Sequence, residues 1–265
     1  MTGRAEAVCR LLDAADAVVL DIDGVLCLGD FPLPGAAAAC QAIQERVAVM
    51  IVATNDSRRS RAGQLRRLAA AGLPDADSIL LTSCDATIAA LRGDGHRCLA
   101  VVGSSGLRCD LRVAGFTLDE ARATALVTGS VSALRQNKGQ VVATARSTRH
   151  LRWYATNADL VVPGRTGPVP DAGAVIELIA AETLRRPLIF GKPTDQMTTA
   201  ARALLGPASN VVVIGDGVPT DLAWADAAGW AAIHIGEKCR YAHQGVPCMP
   251  SLRAVGSALT HTARE

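Results

Sequence analysis

The stretch VVLDIDGVLCLGD, residues 18–30, places two carboxylates directly after an apolar run. In an extended chain Asp21 and Asp23 point to the same side, and Ile22 points to the opposite side. Gly24 then allows a sharp turn. A D-x-D-G stretch is equally compatible with a turn whose acids are solvated, so it does not establish a site by itself. The rest of the chain decides between these two interpretations.

Further short apolar runs alternate with helical patterns along the chain. The runs are residues 17–20, 47–53, 99–102, 125–127, 188–190, 211–214 and 230–235. The helical patterns are residues 35–45, 60–71, 172–184 and 194–205. This alternation predicts an α/β fold with a doubly wound, mostly parallel sheet, and the continuous apolar character of the runs predicts strands buried on both faces. In such sheets ligands gather outside the carboxyl ends of the strands.

The chain also divides into a main body and an insertion. Residues 82–186 carry their own alternation of strands and helices. We therefore expect residues 1–81 and 187–265 to form one α/β core, and residues 82–186 to form a smaller inserted α/β domain.

Polar side chains follow three more of the apolar runs. Thr54 and Asn55 offer a hydroxyl and an amide that can hydrogen-bond an anionic oxygen. Lys192 can act as a point charge for phosphate. Asp216 ends a later run, and Asp221 follows it near a helix start. Each position also has an ordinary structural interpretation. Thr54 and Asn55 are typical helix-capping residues, and a lysine such as Lys192 is usually solvated. Asp221 is typical of an acid that is favoured in the first turn of a helix.

Electrostatics restricts what three converging acids can do. If Asp21, Asp23 and Asp216 approach each other, each pair repels by about 4 kcal/mol at 4 Å and an effective dielectric near 20. Raised pKa values or a bound cation would relieve this repulsion. Mg²⁺ is typically bound by a few protein oxygen atoms, several waters and a phosphate oxygen of the substrate. Mg²⁺ with Lys192 and Thr54 would position a phosphoryl group, which is the main requirement of phosphoryl transfer.

Composition argues against several other classes of protein. The 265 residues are 49% hydrophobic but only 3% aromatic, and the net charge is +2. Neither a basic surface nor base-stacking rings are available for nucleic acid. No stretch approaches the roughly 18 uninterrupted apolar residues of a membrane span, and acidic residues interrupt the N-terminus where a signal peptide would be apolar. We expect a cytoplasmic protein with no nucleic-acid or membrane partner.

The eight cysteines contain no C-x-x-C pair. In a chain without an export signal we expect buried thiols rather than disulfides. His234, Cys239, His243 and Cys248 form one cluster in the sequence, but their spacing departs from that of zinc sites. The alternative there is a last strand followed by an irregular tail.

The four strand-end motifs together resemble the haloacid dehalogenase-like (HAD) superfamily of aspartyl-phosphate phosphohydrolases. DIDGV at 21–25 resembles its first motif, Thr54 its second, Lys192 its third, and Asp216 with Asp221 its fourth. The stretches LCLGDFPLPGA (26–36), TNDSRRS (54–60), ATNADL (155–160) and GKPTDQM (191–197) resemble the nitrophenylphosphatase-like and NagD-like branch. That branch carries a large α/β cap between the second and third motifs, which is where the insertion at 82–186 lies.

The resemblance implies a role for each matching residue. Asp21 is the nucleophile that forms an aspartyl-phosphate. Asp23 protonates the leaving oxygen and then activates water. The Asp21 carboxylate, the Asp23 backbone carbonyl and Asp216 hold Mg²⁺, and Asp221 supports that site directly or through water. Thr54 and the Asn55 backbone bind phosphate oxygens, and Lys192 steadies their charge.

The resemblance also implies the class of substrate. Members of the branch dephosphorylate small metabolites such as nucleotides, phosphoglycolate, sugar or glycerol phosphates and pyridoxal phosphate, with nitrophenyl phosphate as an artificial substrate. Two alternatives stay open, which are a phosphotransferase or mutase on the same core, and a regulatory HAD protein that binds phosphate without turnover. A homodimer through the cap is common among such relatives and is an expectation by analogy.

Three features depart from the pattern of the branch. Asp56 stands where relatives usually carry an uncharged residue, and would repel phosphate if it faced the site. The stretch GSVSALRQNKGQ (129–140) does not resemble the usual cap segment. Gly217 and Pro219 make the loop of the fourth motif atypical and could shift Asp221. The arginines of the run at 58–67 are expected to be mostly solvated, with Arg58 or Arg59 as a possible substrate contact.

Overall fold

The computed structural model describes residues 3–162, 167–236 and 245–262. The strands, numbered in chain order, are β1 (Ala17–Asp21), β2 (Cys27–Leu28), β3 (Phe31–Pro32), β4 (Val49–Thr54), β5 (Leu80–Thr82), β6 (Cys98–Val102), β7 (Thr117–Leu118), β8 (Ala125–Thr128), β9 (Arg152–Ala155), β10 (Val161–Val162), β11 (Val169–Pro170), β12 (Leu188–Ile189), β13 (Val211–Gly215), β14 (Ala231–Ile235) and β15 (Cys248–Met249). The helices are α1 (Gly3–Asp13), α2 (Ala36–Gln44), α3 (Arg61–Ala70), α4 (Ser83–Gly93), α5 (Ser105–Val113), α6 (Leu134–Ser147), α7 (Ala172–Thr183), α8 (Asp195–Leu205), α9 (Ala223–Ala228) and α10 (Leu252–Thr262).

One compact unit is built on a six-stranded sheet. It consists of the described residues of Met1–Thr54, Leu65–Leu81 and Thr198–Glu265. The strand order is β15-β14-β13-β1-β4-β5, and β1 pairs in parallel with both β13 and β4. β14 also pairs in parallel with β13 and with β15. The predicted α/β architecture with a mostly parallel sheet is therefore confirmed.

The strands of this sheet are buried because their sequences are apolar on both faces. Every residue of β1 is buried, as the continuous run predicts. Val18, Leu20 and Ile22 are fully buried in one cluster with apolar residues of α1, α2 and α10. Since side chains alternate along a strand, Asp21 and Asp23 project from the opposite side to Ile22.

The second compact unit is built on a five-stranded sheet. It consists of Asn55–Gln64 and the described residues of Thr82–Met197. The strand order is β12-β9-β8-β6-β7, and all four pairings are parallel. Apolar residues of α6 and α7 cover one face of this sheet, around Trp153 and Leu126.

The bounds of the second unit differ from the sequence expectation at two places. Residues 1–81 were expected in the first unit, but Asn55–Gln64 belongs to the second, where the Asn55 carbonyl accepts hydrogen bonds from Ser83 and Asn157. The second difference is at the far end. Residues 187–265 were assigned to the first unit, but β12 pairs with β9 through Leu188 and Tyr154. The second unit consequently continues to Met197 and includes Lys192. The physical reason is that the short apolar run at 188–190 completes the edge of the five-stranded sheet.

The cysteines divide into thiols and a disulfide. Cys9, Cys27, Cys40 and Cys84 are buried free thiols, and Cys98 and Cys109 are free as well. Cys248 is disulfide-bonded, so the expectation of free thiols is wrong at this position. None of the helices in the described ranges is both long and apolar enough to cross a membrane.

Candidate active site

Three carboxylates converge at the carboxyl ends of two neighbouring strands. Asp21 is the last residue of β1, and Asp216 follows β13 directly. Because Leu20 pairs in parallel with Ile214, the two strand ends lie side by side. One oxygen of Asp21, one of Asp216 and one of Asp221 all lie within 4.8 Å of each other. The sequence prediction that Asp21 and Asp216 can share one ion is compatible with this geometry.

Asp221 reaches this cluster from an irregular helical turn. The turn, Val218–Leu222, has π-helical geometry, and Asp221 is buried within it. The backbone N–H of Gly217 donates to Oδ2 of Asp221 at 3.0 Å. The atypical loop sequence with Gly217 and Pro219 therefore still delivers Asp221 to the cluster.

Two glycines make room for these carboxylates. Gly24 has φ +87°, and a Cβ there would lie 2.0 Å from Oδ2 of Asp216. A Cβ on Gly215 would lie 2.5 Å from Oδ2 of Asp221. Both contacts are far shorter than van der Waals distance, so the close approach of Asp216 and Asp221 requires glycine at these two positions.

His234 supports the same loop from the neighbouring strand. Its ring Nε2 lies 3.3 Å from the backbone carbonyl of Asp216, and the side chain is buried in β14. The sequence cluster of His234 with Cys239, His243 and Cys248 gains no support as a metal site. Cys248 is disulfide-bonded, and Cys239 and His243 lie outside the described residues.

Asp23 is held by Arg67, which belongs to the basic run expected to be mostly solvated. Nη2 of Arg67 lies 2.7 Å from Oδ1 of Asp23, and 4% of the Arg67 side chain is exposed. Thr54 donates from Oγ1 to Oδ2 of Asp23 at 3.5 Å. The expectation of a mostly solvated basic run is wrong, because only Arg66 of the five arginines is exposed. No signal in the sequence distinguished Arg67 from its neighbour Arg66.

In the second unit, Asn55 and Lys192 are bound to each other. The backbone N–H of Lys192 donates to Oδ1 of Asn55 at 2.8 Å, and Nδ2 of Asn55 donates to the carbonyl of Lys192 at 3.1 Å. Nδ2 also donates to Oδ2 of Asp159 at 3.0 Å. The carbonyl of Asn55 accepts hydrogen bonds from Asn157 and Ser83. Asn55 is therefore immobilised, and it fixes the backbone of Lys192.

Asn157 and Asp159 were not among the predicted site residues. Both belong to the stretch ATNADL that contributed to the family resemblance, and they follow the carboxyl end of β9. The strand-end rule that located Thr54 and Asp216 would have found them if Arg152–Ala155 had been recognised as a strand.

Asp56 does not present an unbalanced charge. Its carboxylate is buried, with Arg58 Nε at 2.9 Å and Arg59 Nη1 at 2.7 Å. Burial opposes ionisation of Asp56, but the charge and hydrogen bonds of Arg58 and the charge of Arg59 outweigh it and lower its pKa to about 2. Asp56, Arg58 and Arg59 together carry a net positive charge. The sequence-based expectation that Asp56 would repel phosphate is therefore not supported within this unit.

Comparison with known proteins agrees with the fold and the motifs. The family model described as haloacid dehalogenase-like hydrolase matches residues 18–117, and a related HAD hydrolase model matches residues 189–241. The chain is 31% identical over 219 residues to dihydroxyacetone phosphatase of Corynebacterium glutamicum (strain R), covering 81% of this chain and 78% of that protein. It is 30% identical over 219 residues to ribonucleotide monophosphatase NagD of Escherichia coli (strain K12), covering 82% of this chain and 86% of that protein.

A solved structure extends the similarity to nearly the whole chain. The crystal structure of 4-nitrophenylphosphatase from Thermotoga maritima superposes with a TM-score of 0.81 at 25% sequence identity, covering 94% of this chain and 99% of that one. The chain therefore belongs to the haloacid dehalogenase-like hydrolases, within their NagD-like and nitrophenylphosphatase-like branch of phosphatases.

Proposed function

We propose that the protein is a Mg²⁺-dependent phosphomonoesterase that hydrolyses a small phosphorylated metabolite through an aspartyl-phosphate on Asp21. The observation that carries the proposal is the convergence of Asp21, Asp216 and Asp221 within 4.8 Å at the ends of β1 and β13. Asp23 lies two residues beyond Asp21 on the same side of the chain, where an acid–base group is needed.

The donor set fits Mg²⁺. Three carboxylate oxygens this close repel each other by several kcal/mol in total at an effective dielectric near 20, and a hard divalent cation would offset that repulsion. Asp21, Asp216 and Asp221 would hold the ion together with the backbone carbonyl of Asp23. Mg²⁺ would supply charge neutralisation for a phosphate oxygen and for the developing transition state.

The proposed reaction uses two carboxylates with different tasks. One oxygen of Asp21 attacks phosphorus, the bond between phosphorus and the ester oxygen breaks, and Asp23 transfers its proton to that leaving oxygen. In the second half, Asp23 removes a proton from water, the water oxygen attacks phosphorus, and the bond to Asp21 breaks to release inorganic phosphate. Asp23 is regenerated in its protonated form, so the cycle balances.

Thr54, Asn55 and Lys192 would bind the phosphoryl group. The Asn55 backbone N–H can donate to a phosphate oxygen, and the Lys192 ammonium adds a positive charge. The Thr54 hydroxyl has a single proton, so it would have to turn from Asp23 to donate to phosphate. The hydrogen bonds between Asn55 and the Lys192 backbone would keep two of these groups in a fixed mutual position.

The names of the relatives support a small phosphorylated substrate. They include phosphatases of dihydroxyacetone phosphate and of ribonucleotide monophosphates, together with a nitrophenylphosphatase. A phosphotransferase or mutase on the same core remains the alternative. The non-catalytic alternative was motivated by Asp56 alone, and the pairing of Asp56 with Arg58 and Arg59 removes that motive. A homodimer through the cap and a cytoplasmic location remain predictions.

The test is phosphate release from a panel of substrates. The panel contains nitrophenyl phosphate, nucleoside monophosphates, glycerol phosphate, dihydroxyacetone phosphate, phosphoglycolate and pyridoxal phosphate, each with Mg²⁺ and with a chelator. We expect turnover of at least one substrate that requires Mg²⁺. Asp21→Asn and Asp23→Asn should each lower the rate by about 1,000-fold or more, since each removes a group that reacts directly.

Asp226→Asn is the matched control. Asp226 is exposed on α9, and its replacement removes the same charge from the same unit. The rate of this variant should therefore stay near that of the unaltered protein. Activity that survives chelation, or that survives Asp21→Asn, would contradict the proposed mechanism. Transfer of phosphate to a second substrate without release would instead favour the phosphotransferase alternative.

A further inference from the structure

A polar cavity of about 560 Å³ opens at the carboxyl end of the sheet in the second unit. β6 and β8 are neighbours there, with Val102 paired to Thr128 in parallel register. β6 continues through α5 to β7, which flanks β6, whereas β8 continues through α6 to β9, which flanks β8 on the other side. The strand order therefore reverses between β6 and β8. Open α/β sheets bind ligands in the crevice at such a reversal.

The cavity carries a single formal charge among the described residues that line it, and that charge is positive. Arg108 of α5 is half-buried, and its guanidinium donates to the carbonyls of Val101 at 2.5 Å and Gly103 at 3.4 Å. In the described part of the chain no carboxylate forms an ion pair with Arg108. Burial and the nearby charge of Arg112 lower the pKa of Arg108, which is the response of a cation that lacks a counter-charge.

The helix that carries Arg108 adds to the positive potential. α5 starts at Ser105, and the Ser104 hydroxyl caps it by accepting the N–H of Leu107 at 3.2 Å. The first turn contains no acidic residue, so no side chain offsets the positive end of the helix dipole. Ser104 and Ser105 belong to the lining of the cavity.

The opposite wall supplies neutral hydrogen-bonding groups. Ser132 and Gln140 line the cavity from the loop before α6 and from α6 itself. Asn137 also lines it, but its side-chain amide already donates to the carbonyls of Ser132 and Ala133. Gln140 and Ser132 are exposed, and neither uses its side chain in a hydrogen bond to another described residue. Amide and hydroxyl groups can donate to an anionic oxygen without adding negative charge.

We propose that this cavity binds the carboxylate or phosphate group of a small metabolite, with Arg108 as its counter-charge. The proposal goes beyond the phosphatase reaction, because the second unit alone provides the lining and binding requires no phosphoryl transfer. The anion has two possible sources, which are a free metabolite that acts as an effector, or a second anionic group on the substrate itself. The shared chemistry is an oxyanion facing a guanidinium and a helix N-terminus.

Direct binding tests the proposal without turnover. The full chain would be titrated in the presence of chelator with citrate, phosphoglycolate and AMP, and binding followed by calorimetry and by the ¹⁵N signal of the Gln140 side-chain amide. We expect at least one probe to bind in the millimolar range or below and to shift that signal. Arg108→Gln should weaken its binding by about tenfold or more, as expected for the loss of one charge-assisted contact.

Two further variants separate loss of binding from loss of fold. Arg112→Gln removes the same charge from an exposed position on the same helix, and it should weaken probe binding much less than Arg108→Gln does, since solvent screens a charge at that position. Arg108→Lys keeps the positive charge and should retain more affinity than Arg108→Gln. Unfolding transitions of all three variants establish that each one is folded under the titration conditions.

Kinetics then distinguishes the two sources of the anion. If the anion belongs to the substrate, Arg108→Gln should raise KM for phosphoglycolate by about tenfold and leave KM for nitrophenyl phosphate unchanged. If the anion is a separate effector, both KM values should stay unchanged while binding of the probe is lost. Equal affinity of Arg108→Gln and the unaltered protein, or no binding of any probe at millimolar concentration, would overturn the proposal. The binding measurement does not depend on turnover. A protein that binds the probe but releases no phosphate would contradict the phosphatase assignment and leave the anion-binding proposal supported.

Discussion

The guanidinium of Arg67 lies 2.7 Å from Oδ1 of Asp23, and the hydroxyl of Thr54 donates to Oδ2 of the same carboxylate. Each oxygen of Asp23 therefore has its own partner, which restricts rotation of the carboxylate about its Cβ–Cγ bond. An acid–base group has to be oriented toward the atom that it protonates, so Arg67 is placed to position Asp23 for this step.

Replacement of Arg67 should lower kcat more than it changes KM. Arg67→Met removes the contact to Asp23 and should reduce kcat by about 10- to 100-fold, which is part of the 10²–10⁴ that a positioned acid–base group contributes. Arg67→Lys keeps a cation and should recover part of the loss. Steady-state kinetics with nitrophenyl phosphate measures both parameters.

Arg66→Met serves as the control for Arg67. Arg66 is the exposed neighbour on the same helix, so its replacement should leave kcat and the unfolding transition nearly unchanged. Since removing one partner of a buried ion pair is destabilising by about 3–5 kcal/mol, kinetics has to be recorded below the unfolding transition of Arg67→Met. An unchanged kcat in folded Arg67→Met would show that Arg67 has no positioning role.

Gly24→Ala should disrupt the acidic cluster through a steric contact. The new Cβ would lie 2.0 Å from Oδ2 of Asp216, at a backbone φ of +87°. We expect the Mg²⁺ concentration for half-maximal activity to rise about tenfold or more, because Asp216 has to move. Gly29→Ala is the matched control, since Gly29 also has positive φ, at +61°, but has nothing within 4 Å of its Cβ position. Similar Mg²⁺ dependence in the two variants would argue against the contact with Asp216.

Asp56 should stabilise the fold in a pH-dependent way. Its pKa of about 2 lies below the usual value of 3.8, so its contribution is present above about pH 4 and is lost as the pH falls toward 2. Asp56→Asn should therefore lower the free energy of unfolding by about 2 kcal/mol at neutral pH, with a smaller loss near pH 3. Urea unfolding at the two pH values measures this difference.

Asp119→Asn provides a comparison for Asp56. Asp119 forms a 2.7 Å ion pair with Arg122 at the surface, where solvent screens the interaction. Its replacement should change the free energy of unfolding little at either pH. An equal effect of the two substitutions would show that burial of the Asp56 pair has no energetic consequence.

Much of the fold could be predicted because the buried strands are continuous apolar runs. The runs at 17–20, 99–102 and 211–214 correspond to β1, β6 and β13 with differences of one residue at their ends. β9 was missed because RWYA begins with an exposed arginine and is only four residues long. Because β9 is the pairing partner of β12, no feature of the sequence indicated that β12 belongs to the second unit. The end of that unit was therefore expected at residue 186 and not at Met197.

The site was predictable where it depends on strand ends and was not where it depends on tertiary packing. Asp21 and Asp216 come together because β1 and β13 pair in parallel, and the alternation of apolar runs predicts such a sheet. The partner of Asp23 could not be predicted, because Arg66 and Arg67 have the same chemistry and only the orientation of α3 buries one of them. The pairing of Asp56 with Arg58 and Arg59 depends in the same way on a loop conformation.

Asp171 should make stability fall as the pH rises. Burial raises its pKa to about 7, against a hydrogen bond from Ser130 and the charge of Arg58, while the charges of Asp56 and Asp159 raise it further. In the described part of the chain its Oδ2 has no hydrogen-bond partner. The folded state binds the proton of Asp171 more tightly than the unfolded state, whose pKa is the usual 3.8. Its contribution to stability is therefore most favourable below about pH 4 and falls as the pH rises toward 7.

Asp171→Asn removes the ionisable group but keeps an oxygen that can accept the hydrogen bond from Ser130. Because asparagine carries no charge at any pH, the variant should gain about 2–3 kcal/mol relative to the unaltered protein between about pH 5 and about pH 8. Chemical unfolding at both pH values measures this gain. Asp195→Asn, at an exposed position on the first turn of α8, is the control and should show no such gain. If the difference between Asp171→Asn and the unaltered protein were the same at both pH values, the Asp171 carboxyl would already be ionised at pH 5, and its burial would have to be compensated by the charge of Arg58.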